Sequence, residues 1–203
     1  MTESMEIILA TRNRSKVDQI KGLFGGSQFS IKTLAEAGIE GDAVEDGVTL
    51  NANALKKAWY AFDKSGRRFW TMADDTGLFI DALKGEPGIK AARWAGETAT
   101  TEEVMNYCLD RLKGTKNRSA TFETVVAIVA PNGMEHFFSG QVRGRLLEAP
   151  RVKFQPGMPY SGLFVPDGSN NLTWAEMSVE EENEISHRGK AFRQAKYFLE
   201  KQL

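Results

Sequence analysis

Cysteine is nearly absent: Cys108 is the only one in 203 residues. One thiol cannot close an intramolecular disulfide, which suits a reducing, cytoplasmic setting. No run of about 18 uninterrupted apolar residues occurs, so no membrane span is expected. The start, Met1-Thr2-Glu3-Ser4-Met5-Glu6, is acidic and polar. A secretory signal needs basic residues and a longer apolar stretch there. Neither sign of charge dominates: 26 Lys plus Arg oppose 27 Asp plus Glu, leaving a net −1. That balance argues against general nucleic-acid binding, which wants a basic stripe, although it leaves room for a local positive pocket. Proline is scarce, and no low-complexity run or internal repeat is present, so nothing reads as disordered. The sequence has no Cys/His metal cluster, no His-Glu-x-x-His, no Gly-x-Ser-x-Gly elbow and no glycine-rich Walker or dinucleotide loop. Acidic residues working with Mg²⁺ on a phosphate ester are the chemistry left.

What is present reads as mixed α/β. Residues 5–11 form a short β-branched run, a buried strand. Val17, Ile20, Leu23 and Phe24 then recur at helical spacing, and Gly25-Gly26 ends that helix. A strand over 29–34 and an acidic, glycine-containing loop over 38–47 follow. A helix capped by Thr49 runs to about Lys64. Residues 69–73 read as a strand leading into Asp74-Asp75-Thr76-Gly77. A helix over 101–112 is capped by Thr101. Strands over 119–130 and 135–147 form a hairpin around Pro131-Asn132-Gly133. A Pro/Gly-rich loop spans 148–162, with a short strand at 163–165. Helices close the chain over 179–185 and 188–203. Hairpins beside a strand–helix start argue against a purely parallel doubly wound sheet. The expectation is one body of two lobes around a cleft. Four tryptophans, Trp59, Trp70, Trp94 and Trp174, exceed what a small core needs, which points one or two toward an interface. His136 lies in the hairpin and reads as structural, and Cys108 as core.

Four constellations carry polar chemistry, and each has a plainer reading. Thr11-Arg12-Asn13-Arg14-Ser15-Lys16 lies between a strand and a helix. Backbone N–H groups at a helix start, with Thr11, Asn13 and Lys16, suit a phosphate; equally, the segment is a solvated turn that caps the helix. Asp74-Asp75 at a strand end could hold Mg²⁺, with Glu45 as a further carboxylate. Neighbouring strand residues face opposite ways, so one of the two acids should face the cleft. The plainer reading is a turn ending at Gly77. Asn53 and Lys57, four apart, share a helix face that could meet phosphate or simply water, while Lys56 points elsewhere. Ser186-His187-Arg188 could bind an anion or stack on a base, or could be a cap followed by two surface residues.

The order of these segments resembles the inosine/xanthosine triphosphate pyrophosphatase family over nearly the whole chain. The likeness rests on Ala10 to Lys16, on Glu45-Asp46-Gly47-Val48-Thr49 with Asn53 to Ala58, and on Ala73 to Leu78. It continues through Pro87-Gly88, Ala92 to Gly96, Ala175-Glu176-Met177 and Ser186-His187-Arg188. The resemblance implies an elongated mixed β-sheet flanked by helices, with two lobes around a central cleft, and a homodimer. It also implies Mg²⁺-dependent cleavage between the α- and β-phosphates of non-standard purine nucleoside triphosphates. By position, Thr11 to Lys16, with Thr11, Asn13 and Lys16 foremost, and Lys57 would hold the triphosphate, with Asn53 as a further substrate-binding candidate. Asp75 would orient or deprotonate the attacking water. Asp75, Glu45 and Asp74 would surround the metal, Thr76 would touch substrate, and His187 and Arg188 would approach the base. A carboxylate beside Mg²⁺ is expected to keep a depressed pKa.

Three positions depart from the family's pattern. Its Gly-Phe-Gly-Tyr-Asp-Pro stretch is here Gly157-Met158-Pro159-Tyr160-Ser161-Gly162, which keeps Tyr160 as a stacking ring and puts Ser161 where the acid stood. Its Lys before Ser-His-Arg is Glu182, and the Glu often found before the helix Asn is Ala52. The first two changes fall on the base pocket. A carboxylate at 182 would accept from N–H groups of a base, such as the N1–H and 2-amino of a guanine type, so base preference would have shifted. In the plainer reading Glu182 is solvent-exposed in a loop. A retired, non-catalytic nucleotide-binding protein is the competing function. It would be free to lose Asp75, Glu45, Lys16 and Lys57, yet all four are present.

Overall fold

The structure, a computed structural model, describes residues 4–26 and 28–203. The polar start at residues 1–3 therefore lies outside the described residues. Strand β1 (Met5–Leu9) pairs in parallel with β2 (Phe29–Thr33) and with β3 (Trp70–Ile80). Beyond β3 every pairing is antiparallel. The two-residue β4 (Pro87–Gly88) and β5 (Ser119–Val129) both pair with β3, β6 (Glu135–Leu146) pairs with β5, and β7 (Phe164–Pro166) with β6. The main order is β2-β1-β3-β5-β6-β7. The mixed α/β expectation holds.

Helix α1 (Arg14–Leu23) follows β1, and α2 (Leu50–Lys64) precedes β3. Helix α3 (Thr101–Arg111) lies before the β5–β6 hairpin, and α4 (Val179–Ile185) and α5 (His187–Glu200) close the fold. Alternation along the strands divides the core in two. On one face Ala54, Ala58, Ala61 and Phe62 of α2 meet Ala73, Val125 and Ala127. On the other, Ile20 of α1 and Phe192, Ala195 and Leu199 of α5 meet Met72, Val126 and Ile128. A third cluster gathers Leu78, Ile80, Cys108, Phe122, Leu146, Phe164 and Trp174 at the far ends of the long strands. Each such large side chain, fully buried, contributes about 1.5–3 kcal/mol. Apolar mass thus lies at both ends of β3 and β5, and a cleft opens between.

Gly140 sets how closely α5 approaches the sheet. A Cβ there would run into the His187 carbonyl and the Ala191 N–H, which are backbone groups and cannot swing aside. The absent side chain brings the start of α5 down onto β6.

Several boundaries differ from expectation. β1 ends at Leu9, and α5 stops at Glu200. The cap of α3 is Thr100: its hydroxyl accepts from the Glu103 N–H while the Glu103 carboxylate takes the Thr100 N–H, a Thr-x-x-Glu box that Thr101 cannot form. The largest difference is β3, which runs for 11 residues straight through Asp74-Asp75-Thr76-Gly77. Turn-forming composition is overruled there because each residue from Thr71 to Ile80 has a partner in β5. The turn reading of the two acids is therefore wrong. Cys108 is buried, with its thiol pushed up to about 12 by burial, as a core residue should be. His136 packs on Phe198 at 4.2 Å. All four tryptophans pack on aromatic neighbours within the chain: Phe62, Phe198, Tyr107 and Phe164 in turn.

Candidate active site

Asp74 and Asp75 are neighbours on a strand, so they point to opposite faces of the sheet. Each meets the helices on its own side. Asp75 faces α2, where Lys57 Nζ donates to Asp75 Oδ1 at 3.3 Å and the Asn53 amide donates to Oδ2 at 3.2 Å. Asp74 faces α1 and α5. Its Oδ2 accepts from Lys16 Nζ at 2.8 Å and from the Arg188 guanidinium at 3.4 Å. Thr76 Oγ1 completes that side, 3.4 Å from Asp74 Oδ2 and 2.7 Å from Thr124 Oγ1. The spacing of Asn53 and Lys57, one helical turn, is what lets both reach one carboxylate.

Asp75 lines a cavity of about 280 Å³, and Asp74 does not. The expectation that one acid faces the cleft is met, and Asp75 is that one. One end of the cavity is ionic, with Thr11, Asn13, Lys16, Glu45, Lys57, Asp75 and Thr76 on its wall. The other end carries Phe122, Tyr160, Trp174 and His187, with Ser161, Glu182 and Arg188 among them. The His187 ring stacks on Phe122 with centroids 4.8 Å apart.

Loop geometry joins the two ends. The Asn13 carbonyl oxygen accepts from the Lys16 N–H to cap α1, while its amide donates to the Gly157 carbonyl at 3.1 Å. Thr11 Oγ1 accepts from the Asn13 N–H. Arg12, expected with its segment to face the triphosphate, donates to the carbonyls of Ile39 and Gly41 and to the Asp42 carboxylate. It ties the acidic loop to the start of α1. Within that loop Glu45 lies 3.4 Å from Lys57 Nζ, so one ammonium faces both Glu45 and Asp75. Nothing in the composition of residues 38–47 signals a partner 27 to 30 residues upstream.

Burial decides the electrostatics. It pushes the Asp75 carboxyl up; Lys57, Lys16 and Asn53 pull against it, and the net position stays above the ordinary carboxylate range. Burial likewise opposes charge on Asp74, but Lys16, Arg188 and Lys57 outweigh it and hold that carboxyl well below its usual range. Lys57 is penalised by burial, yet Asp75, Asp74 and Glu45 prevail and raise its pKa. Burial lowers that of Lys16 despite Asp74. His187, enclosed and beside Arg188, is pushed well below the ordinary histidine range and stays neutral at pH 7.

Several plainer readings fail. Asn53 is fully buried: its amide is spent on Asp75 and its carbonyl oxygen on the Gly47 N–H at 2.8 Å. It therefore holds Asp75 and the acidic loop in place. His187 and Arg188 are buried, not surface residues, although Ser186 does cap α5 through the Gly189 N–H. Glu182 is on α4 and 6% exposed, so the solvated-loop reading is overturned. The Ser161 hydroxyl is committed within its own loop, donating to the Met158 carbonyl and accepting from the Gln155 N–H. The Tyr160 hydroxyl donates to the Ala91 carbonyl, which leaves its ring on the cavity wall. Lys56 turns away to Asp46.

The sequence profile of the Ham1 family matches residues 7–198 of this chain, through every segment that builds this cavity. The chain belongs to the Ham1 family. Its curated Ham1 relatives include the dITP/XTP pyrophosphatase of Caldanaerobacter subterraneus subsp. tengcongensis, 38% identical over 201 residues that cover 98% of each chain. The dITP/XTP pyrophosphatase of Geobacter sulfurreducens is 36% identical over 187 residues, 91% of this chain and 92% of that one. Among solved structures, the Ham1 protein of Staphylococcus aureus superposes with a TM-score of 0.81 at 31% identity, over 98% of this chain and 100% of that one. A HAM1 protein from Coxiella burnetii gives 0.82 at 33% identity, over 97% and 99%. The Ham1 fold is thus shared from end to end.

Among the described residues, no group of three or more His, Cys, Asp or Glu is gathered to hold a metal. The donor set still fits one of a particular kind. Asp75 and Glu45 offer hard oxygens at the ionic end of the cavity, and Mg²⁺ is characteristically held by one or two carboxylates, with substrate phosphates and water completing its shell. Asp74 itself lies off the cavity wall, with Oδ2 taken by Lys16 and Arg188 and Oδ1 buried without a partner.

Proposed function

We propose that this chain hydrolyses inosine-, deoxyinosine- and xanthosine-type nucleoside triphosphates to the monophosphate and pyrophosphate, removing non-standard purines from the nucleotide pool. The observation that carries the reading is the cavity-facing Asp75, held by Lys57 and Asn53 beside Glu45, with Lys16 close by. A purine triphosphate needs cations at one end and a flat apolar slot at the other, and the cavity offers both. The dITP/XTP pyrophosphatase names of the relatives support the same substrate class.

Lys16, Lys57 and the N–H groups at the start of α1 bind phosphate oxygens where charge builds up on the leaving pyrophosphate. Asp75 accepts a proton from the attacking water. Its place on the cavity wall, held by Lys57 and Asn53, suits that task. The water oxygen bonds to the α-phosphorus, the bridging bond to the β-phosphate breaks, and pyrophosphate departs with that electron pair. Asp74 keeps Lys16 and Arg188 in position from the opposite face. Asp75 and Glu45 would hold Mg²⁺, which would supply charge neutralisation on the phosphate oxygens when bound. Phe122, Tyr160, Trp174 and neutral His187 enclose the base. We read the chain as one two-lobed domain, working as a cytoplasmic homodimer; the family likeness and the single buried cysteine support this.

The test is pyrophosphate release from inosine triphosphate with MgCl₂. EDTA is expected to abolish it and added Mg²⁺ to restore it. Asp75→Asn is expected to lower kcat by roughly 10²–10⁴-fold. Release of orthophosphate alone, or an Asp75→Asn variant with full activity, removes this reading.

A further inference from the structure

At the base end of the cavity three polar side chains are already spoken for, whereas Trp174 Nε1 and His187 Nδ1 have no partner and leave unpaired nitrogens on the wall. The Ser161 hydroxyl is used by its own loop, and the Tyr160 hydroxyl by Ala91. Arg188 is divided between Asp74 and the Gln19 side chain. Glu182 differs. It lines the cavity from α4, it is 6% exposed, and it is the acid at this end, since the other cavity-lining acids, Asp42, Glu45 and Asp75, belong to the phosphate side.

Burial pushes the Glu182 carboxyl up, while the Arg188 charge and the Gln155 and Gln19 side chains pull it back toward the charged, accepting form. The Gln19 carbonyl oxygen takes the Arg188 N–H at 2.8 Å, so the Gln19 amide nitrogen is turned the other way, toward Ser186 and Glu182. The Gln155 side chain and the positive charge of Arg188 both lie near Glu182 and favour its charged form. A carboxylate has about four lone-pair sites, which leaves it room to accept from a ligand. A cationic amine here would instead have offered only donors.

We propose that Glu182 reads the Watson–Crick edge of the bound base as a hydrogen-bond acceptor, so that the site favours hypoxanthine over xanthine. The proposal rests on the triphosphate pyrophosphatase reading above and concerns only how that site chooses its base. Hypoxanthine presents N1–H beside a bare C2–H, and both edges are compatible with a carboxylate. Xanthine presents a carbonyl at C2, whose lone pairs would face those of the buried Glu182. Xanthine also loses a ring proton readily, and its anion would be repelled by the same group. A buried acceptor set against an acceptor leaves both undersolvated, which is the strongest form of discrimination a pocket has.

The experiment compares kcat/KM for inosine and xanthosine triphosphates, matched in sugar, on the full chain with MgCl₂ and pyrophosphate release as readout. Inosine triphosphate is expected to exceed xanthosine triphosphate by roughly tenfold or more. Glu182→Gln keeps the shape but can turn a donor toward the base, so it is expected to shrink that ratio at least several-fold. Glu182→Lys should reverse it. Xanthosine triphosphate hydrolysed as well as or better than inosine triphosphate by the unaltered chain overturns the proposal. A ratio unmoved in Glu182→Gln overturns it too. In both cases pyrophosphate is still released, whereas loss of the underlying reading shows as no pyrophosphate from either substrate.

Discussion

Asp74 and Asp75 differ by one position and by almost everything else. Asp75 is a cavity group with a raised pKa; Asp74 is a buried counter-ion with a lowered one. Replacing Asp74 by Asn leaves Lys16 and Arg188 buried against each other, and breaking such a pair costs about 3–5 kcal/mol. Asp74→Asn is therefore expected to unfold at markedly lower urea concentration, and a chemical denaturation curve at pH 7 checks this. The pH dependence has a definite sign. The folded pKa of Asp74 lies below its unfolded value of about 3.9, so its contribution is complete above that pH and is lost as the pH falls below it. Stability measured from pH 5 downward should fall more steeply in the unaltered chain than in Asp74→Asn.

The elements were legible where local chemistry agrees with tertiary demand. Thr49, Asn13 and Ser186 cap helices that their spacing announces, and the Pro131-Asn132-Gly133 hairpin lies where turn residues put it. The passage of β3 through its own acids was not legible. Asp, Thr and Gly read as a turn, and only pairing to β5, with helices waiting on both faces, makes a strand of them. Glu182 was legible through its place in the base-pocket segment, not through its acidic neighbours, whose charge suited the solvent-exposed loop reading that failed; it goes inward because α4 packs beside α1. Gly140 carries the same lesson at the β6–α5 contact. Gly140→Ala is expected to cost about 1–3 kcal/mol by forcing the start of α5 off the sheet, and to lower kcat/KM by displacing His187. Thr100→Ala, at the far cap of α3, should cost about 1 kcal/mol with kcat/KM unchanged. Thermal melts and pyrophosphate release on the two variants separate a site-bearing contact from a merely stabilising one.

At the scale of the molecule, the cavity is bounded by segments far apart in sequence. The start of α1, the acidic loop, α2, β3, the 155–161 loop and α5 all contribute. A ligand touching all of them binds the folded state alone, so it stabilises the whole. With the Asp75→Asn variant, which holds substrate without consuming it, inosine triphosphate and Mg²⁺ at a hundredfold excess over Kd should add about 2.7 kcal/mol. For a chain of this size that is a rise of roughly 5–11 °C in Tm. A Tm that does not move would mean the cavity does not take the nucleotide.

The alternating faces of β3 have one more consequence, for change over time. Loops around the cleft can lengthen without altering which helix each acid meets. Adding or removing one residue upstream of Asp74 within the strand would exchange the partners of the two acids and invert the site. The fold thus tolerates variation in its connections while permitting none in the length of this strand.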